Sequence, residues 1–453
     1  MRDSYCRKKF FIFCLALLGI SPNLFSQAAK DTLTLTLNQA ILIALEKSWD
    51  VQIAAEDVKK AEEQINEAYA NAFPMLQFSG QYIKNVKSPV LFIPANTPFN
   101  ESDRTMTIEL GSKNSYDLGF SLSQVIYNQK VNTAIKMAKD YSDFSKFGEK
   151  STKQQIVSSI KKAFYTVLLM EALVKVANQN YNVAQANLEN VTSMFKQGMV
   201  SEFDYLRSEV QVANVQPYVI RSENNLELSK NQLKNLLTLD LNQPIKVIGE
   251  VSFEEIPSDI IDKYSSEAID NSPIINQLKV QSSLLEKNIT IKRADYFPTL
   301  SFFGQYQFQS QDNTFNFHDY YWAQTFFIGL QLSYTLFDGF SRGSRVEQAI
   351  IEKQKVDLSR MKYEEALKIQ ILQAKMNMDE AKKRIFAQEK SVQQADKALK
   401  IAQSRYKNGV GTQLEQIDTQ TALILAQTNR IQAIYDYFIA KSDWEYAVTF
   451  DSF

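Results

Sequence analysis

Cysteine, histidine, glycine and proline are all scarce in this 453-residue chain, and each scarcity excludes something. Both cysteines, Cys6 and Cys14, fall in an N-terminal segment that reads as a signal. Once it is removed, disulfides, thiol catalysis and cysteine-ligated metals leave the functional menu. The single histidine, His318, sits in a predicted loop beside Asp312, Phe315, Phe317 and Tyr320. It has no partners at the spacing that metal or acid-base sites need, so it reads as a loop residue. Excess charge of one sign is also missing: 50 Lys and Arg against 51 Asp and Glu give a net −1, which argues against nucleic acid. No enzyme site and no cofactor is indicated. No apolar run reaches the roughly 20 residues of a membrane helix.

The N-terminus carries Arg2, Arg7, Lys8 and Lys9, then the apolar stretch FFIFCLALLGI from Phe10 to Ile20, then a small polar exit from Ser21 to Ala28. This is the layout of a secretory signal over residues 1–28, with cleavage near Ser26 or Ala28. Leu15 to Ile20 still follow Cys14, which argues against a lipid anchor there. Removing residues 1–26 deletes those four cations and Asp3, so the net charge becomes −1 − 4 + 1 = −4. The exported product is mildly acidic.

What is present is a repeat. ANAFPMLQFSGQY at 70–82 recurs as ADYFPTLSFFGQY at 294–306. A repeat of that length points to a duplicated supersecondary unit. No glycine or proline occurs between Gly148 and Gly198 or between Gly343 and Gly409, so each gap predicts a very long helix. At 1.5 Å per residue the second approaches roughly 100 Å. Ile156, Ile160, Ala163, Val167, Met170 and Val174 begin a stripe with a 3.5-residue period that runs on to Phe195. Shifted by 211, it recurs from Leu367 through Ile371, Ala374 and Met378 to Tyr406. Such a seam stays on one side only where helices supercoil together.

Each long helix ends at a matching tip, Gly198-Met199-Val200-Ser201 and Gly409-Val410-Gly411-Thr412. Glycine closes the outgoing helix, and Ser201 or Thr412 caps the return, which predicts two tight helical hairpins. The expected packing stripe of the first return helix is Phe203, Leu206, Val210, Ala213, Pro217 and Ile220, with a kink at Pro217. That of the second runs from Leu414, Ile417, Thr421 and Ile424 to Phe438.

Phe73-Pro74 and Phe297-Pro298 each follow a helical segment, Leu37 to Ala72 and about Ile260 to Tyr296. Proline drives the residue before it out of the helical region, so helix turns into strand at these junctions. Period-two alternation then predicts strands at about 75–87 and 299–310, with partners at about 115–127 and 322–337. Leu76, Phe78, Tyr82, Tyr306 and Phe308 oppose Gln77, Ser79, Gln81, Gln305 and Gln307. An apolar face opposite a small-polar face, bounded by aromatics, suits a transmembrane β-barrel, although a sandwich strand alternates in the same way. Four strands per chain cannot close a barrel, so several copies would have to contribute. The organisation is signal 1–28, first repeat 29–240 with its tip near 198–201, equatorial linker 241–259, and second repeat 260–453 with its tip near 409–412. A small strand is expected within IKVIGEVSF, residues 245–253.

Signal, duplicated helix-strand-strand-helix-helix halves, Phe-Pro junctions and glycine tips together resemble the TolC-like outer-membrane efflux proteins. The resemblance implies a mostly α fold with a membrane β-barrel portion. It further implies a homotrimer whose 12-stranded barrel, in outer-membrane lipid, continues into a periplasmic helical barrel. Such proteins are exit ducts of tripartite efflux pumps or type I secretion systems, with a periplasmic adaptor and an inner-membrane transporter as partners. By similarity, Asp204, Glu415 and Asp418 fall at the entrance constriction, Tyr406 at a tyrosine that holds it shut, and the residues of both tips at the docking surface. The arginine expected in the closing network falls on Gly411. The competing class is a periplasmic coiled-coil adaptor or scaffold without a pore.

Overall fold

The computed structural model describes residues 32–249, 253 and 255–450. The expected signal, its cleavage site and both cysteines lie outside them. The first repeat contains β1 (Leu33–Leu35), α1 (Leu37–Lys47), α2 (Trp49–Ala70), β2 (Met75–Lys84), β3 (Val90–Ile93), β4 (Met106–Glu109), β5 (Asn114–Tyr127), α3 (Gln129–Lys196) and α4 (Glu202–Leu236). The linker strand β6 (Ile245–Val247) leads to α5 (Ser258–Asn271), α6 (Pro273–Arg293), β7 (Thr299–Asp312), β8 (Ala323–Ser333), α7 (Ser341–Lys407) and α8 (Gln413–Val448).

Local chemistry explains most boundaries, and corrects some expectations. The single helix expected before each Phe-Pro junction is two helices. Ser272 precedes Pro273 and takes an extended ψ of 119°, which parts α5 from α6. Ser48, with ψ 128°, parts α1 from α2 in the same way. The loop after β2 holds the β3–β4 hairpin, which its prolines had masked. Strand β2 stops at Lys84 rather than at residue 87, and β8 spans Ala323–Ser333 rather than 322–337. Pro217 lies inside α4 without ending it. The expected linker strand is short: Ile245–Val247 pairs in parallel with Leu33–Leu35, and residues 250–252 lie outside the described residues.

The main sheet is antiparallel, in the order β2-β5-β7-β8. Its register puts Phe78 opposite Phe120, and Gln77, Ser121 and Gln305 in one row across three strands. The helices follow the same lateral order. α3 packs against α2, α4, α6 and α8, while α7 packs against α6 and α8. Strand β2 with helices α2 and α4 therefore forms one flank of the protomer, and β8 with α7 forms the other.

Two apolar cores sit where the long helices pass the short ones. One gathers Leu35, Ile41, Ile160, Phe164, Val167 and Leu233; the other gathers Ile275, Leu367, Ile371, Tyr437, Phe438 and Trp444. Between them, Tyr165 stacks on Phe438 at 4.4 Å. Lys161 pairs with Glu445 at 2.8 Å, both side chains buried. Burial, reinforced by the charge of Glu445, pushes the Tyr165 hydroxyl up to about 12.

The expected α7 stripe is largely buried, from Leu367 to Ile385 and again at Leu399 and Ala402. The α4 stripe is not. Phe203, Leu206, Val210, Ala213, Pro217 and Ile220 are exposed, whereas Ser208, Val215, Ser222 and Ser229 are buried at a seven-residue spacing. Small side chains let α4 lie close to α3, which leaves the bulky stripe on the flank. In α8 the buried residues as far as Phe438 are Gln413, Leu423, Ala426, Ala433, Ile434, Tyr437 and Phe438; Leu414 and Thr421 are exposed.

Replacing Lys161 by Met leaves the buried Glu445 carboxylate to Lys441, 4.0 Å away. The expected loss is about 3 kcal/mol, because a buried ion is left poorly compensated. K161M/E445L should recover most of it, as read by thermal unfolding.

Candidate functional site

The two hairpin tips and the sheet are the parts of the molecule with unusual chemistry. At the first tip, Gly198 takes φ 73°, a conformation that a Cβ disfavours. Its N–H donates to the Phe195 carbonyl at 2.9 Å, and the Met199 N–H donates to the Met194 carbonyl at 2.9 Å. These bonds satisfy carbonyls at the helix end. Ser201 then caps α4 reciprocally. Its Oγ accepts from the Asp204 N–H at 3.2 Å and donates to Asp204 Oδ2 at 2.7 Å. The Asp204 carboxylate is thus held within its own turn.

The second tip is built on the same plan with one difference. Gly409 takes φ 74°, and the Val410 N–H donates to the Arg405 carbonyl at 3.0 Å. Thr412 Oγ1 accepts the Glu415 N–H at 3.2 Å and so caps α8. Gly411, however, is a glycine for lack of space. A Cβ there would stand 2.9 Å from Arg405 Cβ, 3.0 Å from the Tyr406 nitrogen and 3.1 Å from the Arg405 carbonyl carbon. The Arg405 guanidinium spans the turn, donating through Nη2 to the Val410 carbonyl at 3.2 Å, with Nε 3.5 Å from Glu415 Oε2. Met199 and Val410 project from the two tips, each 66% exposed.

Of the residues expected at the entrance, the structure brings Asp204 and Tyr406 together across the two hairpins. The Tyr406 hydroxyl is pushed up first by burial and then by the charge of Asp204. The hydroxyl oxygen is nevertheless buried with no hydrogen-bond partner among the described residues, because Asp204 bonds Ser201 instead. Glu415 and Asp418 are exposed.

A polar layer behind the second tip escaped sequence reasoning. Gln413 is 3% exposed, with neither amide atom hydrogen-bonded, and the side-chain oxygens of Gln416 and Gln420 are likewise buried and unpaired. The signal was their three- and four-residue spacing, one helical face that the apolar stripe at Leu414, Ile417 and Thr421 had obscured. Unpaired buried amides destabilise their surroundings.

At the junctions, Phe297 is extended, with φ −111° and ψ 152°, as Pro298 requires. The Phe73 N–H donates to the Ala70 carbonyl at 3.0 Å in the equivalent turn, and Pro74 follows directly. The second junction is fastened to α7 by Arg342, which donates to the Asp295 carbonyl at 3.1 Å and lies over the Tyr296 ring at 5.0 Å. Arg342 was also missed, since nothing in its neighbourhood sequence links it to Asp295.

The sheet separates two chemistries. One face carries Phe78, Phe120, Tyr306 and Phe326; the other carries Gln77, Gln81, Gln305, Gln307 and Gln309, with Phe303 and Phe327 among them. On the amide face, Asp117 accepts from Gln307 Nε2 at 2.6 Å and from Gln309 Nε2 at 3.1 Å. Among the described residues no three His, Cys, Asp or Glu side chains converge on a metal position, and no helix is long and apolar enough to cross a membrane. His318 lies in a short 3-10 turn, Phe317–Asp319.

Residues 40–238 and 264–443 match the outer membrane efflux protein family, one segment in each repeat. The chain belongs to that family. Among its relatives, the pyoverdine export outer membrane protein OpmQ of Pseudomonas putida is 25% identical over 86% of this chain and 81% of its own. The probable efflux pump outer membrane protein TtgC of the same species is 22% identical over 86% and 78%. The fold is that of solved channels. The CmeC outer membrane channel of Campylobacter jejuni superposes with a TM-score of 0.73 at 17% identity, over 91% of this chain and 85% of its own. VceC of Vibrio cholerae gives 0.71 at 17% identity, over 91% and 95%.

Restoring an arginine at the crowded glycine should not restore a closing link. Gly411→Arg is expected to push residue 411 away from Arg405 and Tyr406 and open the turn, which amide hydrogen exchange would read as at least about tenfold faster exchange over residues 405–412. Gln413→Leu should do the reverse, slowing exchange over residues 413–420 by removing an unsatisfied amide.

Proposed function

We propose that this chain is an outer-membrane exit duct, in which three copies close one barrel above a helical tube in the periplasm. The observation that carries the reading is the four-stranded sheet whose two edges, β2 and β8, meet no further strand among the described residues. In hydrocarbon, open backbone edges are not tolerated, so each edge must meet another copy. Three copies of four strands make twelve. The amide face then lines a water-filled lumen, and the aromatic face meets lipid.

The helices support the same closure. One flank exposes Phe203, Leu206, Val210 and Ile220 on α4; the other exposes Leu358, Ile369, Leu372 and Met376 on α7. These stripes pack on each other if α7 of one copy meets α4 of the next, directly below the β8–β2 contact. The tips, Gly198–Ser201 and Gly409–Thr412, then form the lower rim, with Tyr406, Asp204, Glu415 and Asp418 around the entrance. Their exposed Met199 and Val410 suit docking by a periplasmic adaptor and an inner-membrane transporter of an efflux pump or type I secretion system. An adaptor without a pore would leave the two-faced sheet without a role.

Outer-membrane fractionation, heat-modifiable migration and conductance in planar bilayers test this reading; a soluble monomer that never conducts overturns it. Within the sheet, Ile328→Arg on the apolar face should cost about 2–4 kcal/mol at mid-membrane. Gln305→Arg, one residue along the ladder on the amide face, should assemble normally and shift ion selectivity toward anions.

A further inference from the structure

We infer that Arg405 sets the charge of the second tip, by holding Glu415 inside its own hairpin so that Asp418 is the one uncompensated carboxylate of that tip's two. This rests on the reading that the second tip faces the entrance. The geometry carries three parts of it. First, the Arg405 side chain is fixed at two points on the same turn, to the Val410 carbonyl at 3.2 Å and to Glu415 Oε2 at 3.5 Å. Second, the backbone of the same residue organises that turn, since its carbonyl accepts from both Val410 and Gly411 at 3.0 and 3.1 Å. Third, Gly411 has no room for a side chain, so a cation cannot project from that position without rebuilding the turn. The Arg405 cation is therefore directed along the hairpin toward Glu415.

Asp418 lies one helical turn beyond Glu415 on α8, and no Lys or Arg nitrogen is within ion-pair distance of it among the described residues. Glu415 also accepts no side-chain hydrogen bond other than this contact with Arg405. Both members of the pair are about half exposed, at 52% and 48%, so the pair weakens as salt rises. Arg405 acts as a specificity-setting residue at the entrance: it removes one carboxylate per copy from the field that an ion meets.

The test is block of single channels in planar bilayers by hexamminecobalt(III) added on the side of the tips, at low ionic strength. In the unaltered protein the trivalent cation should block, and Asp418→Asn should raise the half-blocking concentration about tenfold or more. Glu415→Gln should raise it by about threefold or more, because it leaves the Arg405 guanidinium uncompensated. Arg405→Gln should lower it by about threefold or more, and R405Q/E415Q should return it to near the unaltered value. That return separates charge release from a merely structural effect, and Arg405→Lys, which keeps the charge, should block as the unaltered protein does. The inference is overturned if Arg405→Gln leaves block unchanged, or if R405Q/E415Q departs from the unaltered protein as much as Arg405→Gln does. Unaltered protein that does not conduct overturns the duct reading itself, and a conducting channel insensitive to the cation overturns the placement of the carboxylates at its mouth.

Discussion

The outward-facing backbone N–H and C=O groups of the edge strands β2 and β8 meet no further strand among the described residues, and hydrocarbon would supply no partner. Nearly every other feature is arranged around that constraint. The strands carry residues that suit water on one face and lipid on the other, so the sheet cannot be buried as a sandwich layer without stranding its glutamines. The helices continue the lateral order of the strands, which puts the bulky apolar residues of α4 and α7 on the same two flanks as the open edges. In the proposed assembly, each protomer supplies half of each of its own interfaces.

Along the tube axis the packing changes character. Around the short helices, the long ones bury tryptophan, tyrosine, phenylalanine and isoleucine, and the Lys161–Glu445 pair is enclosed. Toward the tips, small and polar positions such as Ser208, Asn180 and Gln413 are buried alongside Val191, Leu399 and Ala402, and the Gln413 amide lacks a partner among the described residues. Close-packed apolar contacts resist separation, whereas an unsatisfied amide gains hydrogen bonds when water reaches it. The hairpins are thus anchored at the middle and carry their unsatisfied amides toward the tips.

The tip chemistry departs from the pattern that family resemblance suggested. Asp204 caps its own helix, Tyr406 keeps an unpaired hydroxyl beside it, and Gly411 stands where a link-forming arginine was expected. Arg405 supplies the cation instead, but directs it within the hairpin.

Several features were legible from residue order alone. The Phe-Pro junctions, the glycine tips with their Ser201 and Thr412 caps, the alternating strand faces and the α7 seam all depend on local rules, namely φ/ψ limits, capping and periodicity, which act over a few neighbours. The β3–β4 hairpin, the break at Ser48 and the burial of Ser208 rather than Leu206 were not legible, because they depend on which surface a distant segment presents. Two apolar or small-residue stripes on one helix look equivalent in sequence; only the packing of α3 decides that the small one turns inward. The same holds for Arg405 and Glu415. Their charges were plain, but a turn closed by Gly411, with backbone against backbone, brings the two side chains together.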